Sequence, residues 1–152
     1  MSDYPPLIIE REFKAPIERV FQAWTEPDLL MKWFRSSPNV AVDSAEVDLR
    51  VGGAYRIAVS DPDDVYVVFG KYTQVVVPEL IEFTWKWEES TMEPVELLVR
   101  VELSSAAAGT RMRLTHSQFS NEKSANAHDH GWNGVLATLA IYLEDSQSTR
   151  RI

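Results

Sequence analysis

The chain has 152 residues, no cysteine, 45% hydrophobic and 11% aromatic residues, and a formal net charge of −8. That length fits a single domain able to bury about two-thirds of its unfolded surface, and the composition argues against disorder. Without cysteine there are neither disulfides nor thiolate metal sites, and an acidic chain with no basic stripe repels the phosphate backbones of nucleic acid.

Residues Met1 to Pro6 carry neither a basic segment nor an apolar segment of the secretory type, and no apolar run approaches the ~20 residues of a membrane helix. The expectation is therefore one cytoplasmic domain over residues 1–152, with no membrane and no nucleic acid among its partners. Leu7, Ile9 and Phe13 share one face at period two, opposite Glu10 and Glu12, which predicts a strand although Arg11 interrupts the apolar face. Pro16 suits the first turn of a helix, where its missing N–H is no loss, and Ile17, Val20, Phe21 and Trp24 follow at helical spacing. Thr25 is placed to cap a second short helix, with Pro27 near its start and Leu29, Leu30, Trp33 and Phe34 on its apolar face.

After Ser36-Ser37-Pro38 the period changes to two. Val47, Leu49 and Val51 alternate with charged residues, Gly52-Gly53 supplies a turn with positive φ, and Tyr55, Ile57 and Val59 continue the pattern as a hairpin. Asp61-Pro62-Asp63-Asp64 is the next turn. Residues 65–77 form a long strand in which Gly70 marks a bulge or bend, and a bulge would switch the inward face, which stays open. Pro78-Glu79 turns the chain into a strand with Ile81, Phe83, Trp85 and Trp87 on one face. A polar loop over residues 88–94 follows, then Leu97, Val99, Val101 and Leu103 in alternation, a loop over residues 104–109, and Met112, Leu114 and His116 in alternation. Strands with one wet and one dry face define an antiparallel sheet covered on one side.

From about Ser120 to Ser146 the period changes again. His128, Trp132, Val135, Leu136, Leu139 and Leu143 fall at steps of three and four, on one face of a helix about 40 Å long. The predicted fold is α+β: a curved antiparallel sheet of six to seven strands around one long C-terminal helix, with two short helices after strand 1. There is no repeat and no interdomain linker.

That order of elements is the helix-grip arrangement, and particular words sharpen the likeness. The stretch from Phe13-Lys14-Ala15-Pro16 to Trp24-Thr25-Glu26-Pro27 resembles the opening of START-like proteins (the SRPBCC, birch-pollen-allergen-like superfamily) related to the C-terminal domain of the activator of the heat-shock-chaperone ATPase. Trp33-Phe34, Asp48-Leu49-Arg50-Val51-Gly52-Gly53, Phe83-Thr84-Trp85, Gly109-Thr110-Arg111 through Thr115-His116, and Gly131-Trp132 are similar in the same order, over roughly residues 7–144. The resemblance implies an apolar cavity between sheet and helix. It also implies a range of roles: carriers of small hydrophobic molecules, chaperone regulators, and enzymes of cyclase or hydrolase type.

The residues themselves favour a container over a catalyst. Aromatic side chains recur on inward faces, and a curved sheet with one helix leaves room for a pocket. The expected ligand site comprises Trp33, Phe34, Tyr55, Trp85, Met112, Trp132 and Leu136, with His116 as the polar contact. Its occupant would be a small hydrophobic or amphipathic molecule; a protein partner or a second copy of the chain is the other expectation. No serine, cysteine or carboxylate is visibly paired with His116, so no catalytic residue is assigned, and no cofactor is implied. His128 and His130 are two apart on a helix and point in different directions, which does not suit a metal, and the acidic residues at 43–48 and 61–64 lack the spacing of a calcium loop. Gly131 and Gly134 within the helical pattern indicate either a late start of the regular helix or a close approach and a gate at a cavity mouth.

Overall fold

A computed structural model of the protein describes residues 4–88 and 96–149. In chain order the elements are β1 (Leu7–Phe13), α1 (Ile17–Thr25), α2 (Pro27–Trp33), β2 (Ala41–Val47), β3 (Ala54–Ser60), β4 (Val65–Val76), β5 (Leu80–Trp87), β6 (Leu97–Ala106), β7 (Gly109–Ser117) and α3 (Glu122–Thr149). The seven strands form one antiparallel sheet in the order β1-β7-β6-β5-β4-β3-β2. The long helix lies in the curve of this sheet, which is the predicted α+β helix-grip architecture. Most of the predicted polar loop at residues 88–94 lies outside the described residues.

The inward strand positions are those that period two selects. Tyr55, Ile57 and Val59 on β3, Ile81, Phe83 and Trp85 on β5, Leu97, Val99, Val101 and Leu103 on β6, and Met112, Leu114 and His116 on β7 are all buried. Against them α3 sets Trp132, Val135, Leu136, Leu139 and Leu143, each buried. Full burial of such side chains contributes about 1.5–3 kcal/mol apiece, and this seam holds the helix in the sheet. α2 is fastened by Trp33, whose indole N–H donates to Ala23 O at 2.9 Å, and the β7–α1 corner by Thr110, whose hydroxyl donates to Ala15 O at 2.7 Å. Arg11, in phase with the apolar face of β1, reaches α3 and donates to Asn133 Oδ1.

Several local expectations are corrected. Thr25 does not cap α2: its hydroxyl turns back to Phe21 O at 2.8 Å, and Glu26 occupies the cap position with no side-chain bond. β2 ends at Val47, so Leu49 and Val51 lie in the following turn, exposed at 37% and 63%. That turn closes through Gly53 N to Arg50 O and Gly52 N to Tyr72 O, and only Gly52 has positive φ (86°). Gly53 is required for space, since a Cβ there would lie 2.0 Å from Asp48 O. In β4 the irregularity falls between Tyr72 and Gln74 rather than at Gly70. Gly70 pairs regularly with Tyr55, and a Cβ on it would lie 2.0 Å from Thr84 O. The loop expected over residues 104–109 is shorter, because β6 runs to Ala106 and β7 begins at Gly109.

Candidate functional site

α3 does not cover the sheet evenly. Beside Trp132, between α3, the segment after α2 and the β3–β4–β5 part of the sheet, lies a cleft of ≈ 510 Å³. Phe34, Trp85, Trp87 and Trp132 supply its aromatic surface, and Val40, Val59 and Val135 extend the apolar wall. Arg35 and Ser36 stand on one lip, and Asp64, Tyr66 and Glu88 on another. Glu88 pairs with Arg56 at 3.5 Å. The size and the mix of apolar wall and sparse polar groups are those of a small-molecule site.

The rings pack edge-to-face at Trp85–Trp87 and in tilted contacts at Trp85–Trp132 and Phe34–Trp85. Trp85 sits at the centre, with ring centroids 5.2 Å from Trp132, 5.5 Å from Trp87 and 6.3 Å from Phe34. Two histidines lock this wall. His128 lines the cleft; its Nδ1 lies 2.8 Å from Ser124 O, and because a carbonyl only accepts, Nδ1 carries the proton. Its Nε2 is left to accept from the Trp87 indole N–H at 3.1 Å. One layer deeper, His116 Nδ1 accepts from the Trp132 indole N–H at 2.9 Å, which places its proton on Nε2. The two imidazole centroids are 4.8 Å apart. Burial, with a smaller contribution from His128, holds the His116 pKa well below the usual imidazole range, so the ring stays neutral.

The sequence-predicted site residues divide into three groups. Phe34, Trp85 and Trp132 line the cleft. Tyr55 lines a smaller inner pocket together with Phe34 and Trp85, its hydroxyl donating to Thr84 O at 2.6 Å. Trp33, Met112, His116 and Leu136 are packed in the core behind these walls. His116 thus orients Trp132 from behind the wall, and His128 presents the imidazole on the cleft surface. Trp87 and His128 were accessible to sequence reasoning, since Trp87 alternates with Trp85 and His128 lies one turn before Trp132. Arg35, Asp64 and Tyr66 carry no periodic signal because they sit at element ends.

α3 itself shapes the cleft through its two glycines. Gly134 presses on the segment after α2, where a Cβ would lie 2.3 Å from Ser36 O, and the Thr138 hydroxyl donates to Arg35 O at 3.2 Å nearby. Gly131 borders the cleft, and a Cβ there meets nothing within 4 Å. The helix already runs regularly from Glu122, so a late start does not explain the glycines. Close approach explains Gly134.

A sheet gripping a long helix, with an aromatic cleft at one end of the seam, defines a domain of the START-like, helix-grip class. Residues 14–144 match the family described as Activator of Hsp90 ATPase homolog 1-like protein, and the chain belongs to that family. Solved structures agree on the fold. A protein from Chromobacterium violaceum superposes with a TM-score of 0.83 at 24% identity, covering 91% of this chain and 96% of its own. An AHSA1-like protein from Aeromonas hydrophila gives 0.80 at 23% identity over 94% of each chain. The AHSA1 protein from Silicibacter pomeroyi gives 0.81 at 25% identity, covering 93% of this chain and 99% of its own. No curated protein sequence matches the chain. Among the described residues no helix is long and apolar enough to cross a membrane.

Proposed function

We propose that the chain binds a small hydrophobic or amphipathic molecule in the cleft between the sheet and α3. The observation that carries this reading is the ≈ 510 Å³ cleft walled by Phe34, Trp85, Trp87 and Trp132, with Arg35 and Asp64 at its margins. An apolar body rests on the aromatic wall, and a polar end faces Arg35, Tyr66 or Asp64 at the lips. A cyclase- or hydrolase-type reaction has less support, because Ser124 and Trp87 engage both nitrogens of His128, the imidazole of the cleft. A protein-interaction role, which the family description suggests, draws support from Val76 and Val77 at the β4–β5 turn, both exposed. Native mass spectrometry of the purified chain, followed by calorimetric titration with lipophilic compounds, tests the cleft. A copurifying or saturably bound compound supports the proposal, and its absence across the series, with a protein captured through the Val76–Val77 turn, favours the interaction module.

A further inference from the structure

The aromatic wall of the cleft is built from side chains able to read a polar group, yet it leaves none of their ring nitrogens open. Trp85, Trp87, Trp132 and His128 all line the space. Trp132 donates to His116 in the core, and His128 Nδ1–H donates to Ser124 O on its own helix. Trp87 donates to His128 Nε2 at 3.1 Å. The Trp85 nitrogen is buried out of reach of solvent. Beside these rings α3 adds Ala127 and Gly131, and in a continuous helix the Gly131 N–H is committed to the carbonyl four residues back. The charged side chains Arg35, Asp64 and Glu88 stand at the lips.

One of these bonds differs from the rest. Both partners of the Trp87–His128 bond line the cleft and the bond is only partly buried, whereas His116 lies in the core and Ser124 O belongs to the helix backbone. Its partners come from β5 and α3, so local geometry does not impose it. With Nδ1–H held by Ser124 O, Nε2 is the acceptor left to this imidazole, and the Trp87 indole occupies it. A phenylalanine at position 87 keeps an aromatic ring there but has no N–H, which leaves Nε2 an acceptor on the cleft. A wall whose acceptor is occupied favours hydrocarbon, because a hydroxyl laid against it gives up water and gains no partner.

We propose that Trp87 is a specificity-determining residue of the cleft. By donating to His128 Nε2 it masks the acceptor of the wall, and so restricts the ligand to amphiphiles with a single polar end, held at the lips, and an inner end of hydrocarbon alone. Molecules polar at both ends are rejected. This names the ligand class of the cleft and rests on the cleft proposal.

The test compares 2-naphthol with naphthalene-2,6-diol, two molecules of one shape that differ by a hydroxyl at the far end, in calorimetric titrations of the full chain and of Trp87→Phe. The wild type should bind 2-naphthol at least about tenfold more tightly than the diol. Trp87→Phe, which opens Nε2 to the second hydroxyl, should narrow that ratio by about threefold or more. Equal affinities in the wild type, or a ratio that the folded variant leaves unchanged, would overturn the masking role. A check without any variant is the ¹⁵N–¹⁵N coupling across the bond from Trp87 Nε1 to His128 Nε2: its persistence in wild-type chain saturated with 2-naphthol supports the mask, and its loss on binding overturns it. No saturable binding of either compound removes the cleft reading and this one with it, whereas binding of both without the expected ratio removes this one alone.

Discussion

His116 and Trp132 meet across the β7–α3 seam with almost no solvent access, 0% and 3% exposed, through one hydrogen bond. Trp132→Phe leaves the imidazole Nδ1 without its donor and should lower stability by about 1–3 kcal/mol, as read from the chemical-denaturation midpoint. The same residue gives a pH dependence with a definite sign. Burial keeps the folded-state pKa of His116 well below the value of about 6.5 that an exposed imidazole has in the unfolded chain. Below about pH 6.5 the unfolded chain takes up a proton that the folded chain refuses, so stability falls as pH drops, by up to about 1.4 kcal/mol per pH unit. His116→Asn keeps an acceptor for Trp132 and removes the titration. Calorimetric Tm profiles of the two proteins between pH 7 and 5 should diverge, with the variant flatter, and parallel profiles would remove His116 as the cause. The inward direction of His116 is legible in its alternation with Met112 and Leu114. Its bond to Trp132 is not, because nothing local links residues 16 positions apart.

The C-terminal helix carries two glycines with opposite surroundings, and this separates their roles. At Gly134 the neighbour is the Ser36 backbone, which cannot swing aside, so Gly134→Ala should destabilise by about 1–3 kcal/mol through overpacking. At Gly131 the Cβ enters open space, and Gly131→Ala should be neutral or stabilising by up to about 1 kcal/mol, from helix propensity alone. Urea midpoints of the two variants check the pair, and equal losses would contradict the close approach at Ser36. The helix was readable over nearly its whole length because its apolar spacing persists for several turns. The glycines were readable only as an anomaly, since their meaning depends on a segment about a hundred residues away. The same limit explains β2 and β4. The alternation of Val47, Leu49 and Val51 continues past the end of a strand into a turn, and the bulge beside Thr73 leaves no compositional mark. Gly70 does leave one, but the cause is the nearby Thr84 carbonyl.

At the scale of the molecule, seven strands curve around a helix that fills most of their concave face, and the cleft lies where the seam beside Trp132 is left unfilled. Inward alternation on β3, β5, β6 and β7 and the helical stripe made this architecture legible. The cleft's position was not, since core walls and cleft walls share one apolar pattern: Met112 and Leu136 read like Trp85 and Trp132, yet they pack behind the wall. A compound bound in the cleft should raise Tm, by the equivalent of about 2.7 kcal/mol when its free concentration is 100 times Kd. Gly131→Phe projects a ring into the cleft from a position where a Cβ meets nothing, so it blocks the space while leaving the core intact. The measurement to make first is a tryptophan-fluorescence titration of the wild-type chain and Gly131→Phe with a series of lipophilic compounds, with circular dichroism to verify that both are folded. Occupation of the cleft predicts saturable quenching in the wild type, reported by Trp85, Trp87 and Trp132, and its loss or at least a tenfold weakening in the folded variant. No saturable response from the wild type, or equal responses from both proteins, would contradict a ligand in the cleft.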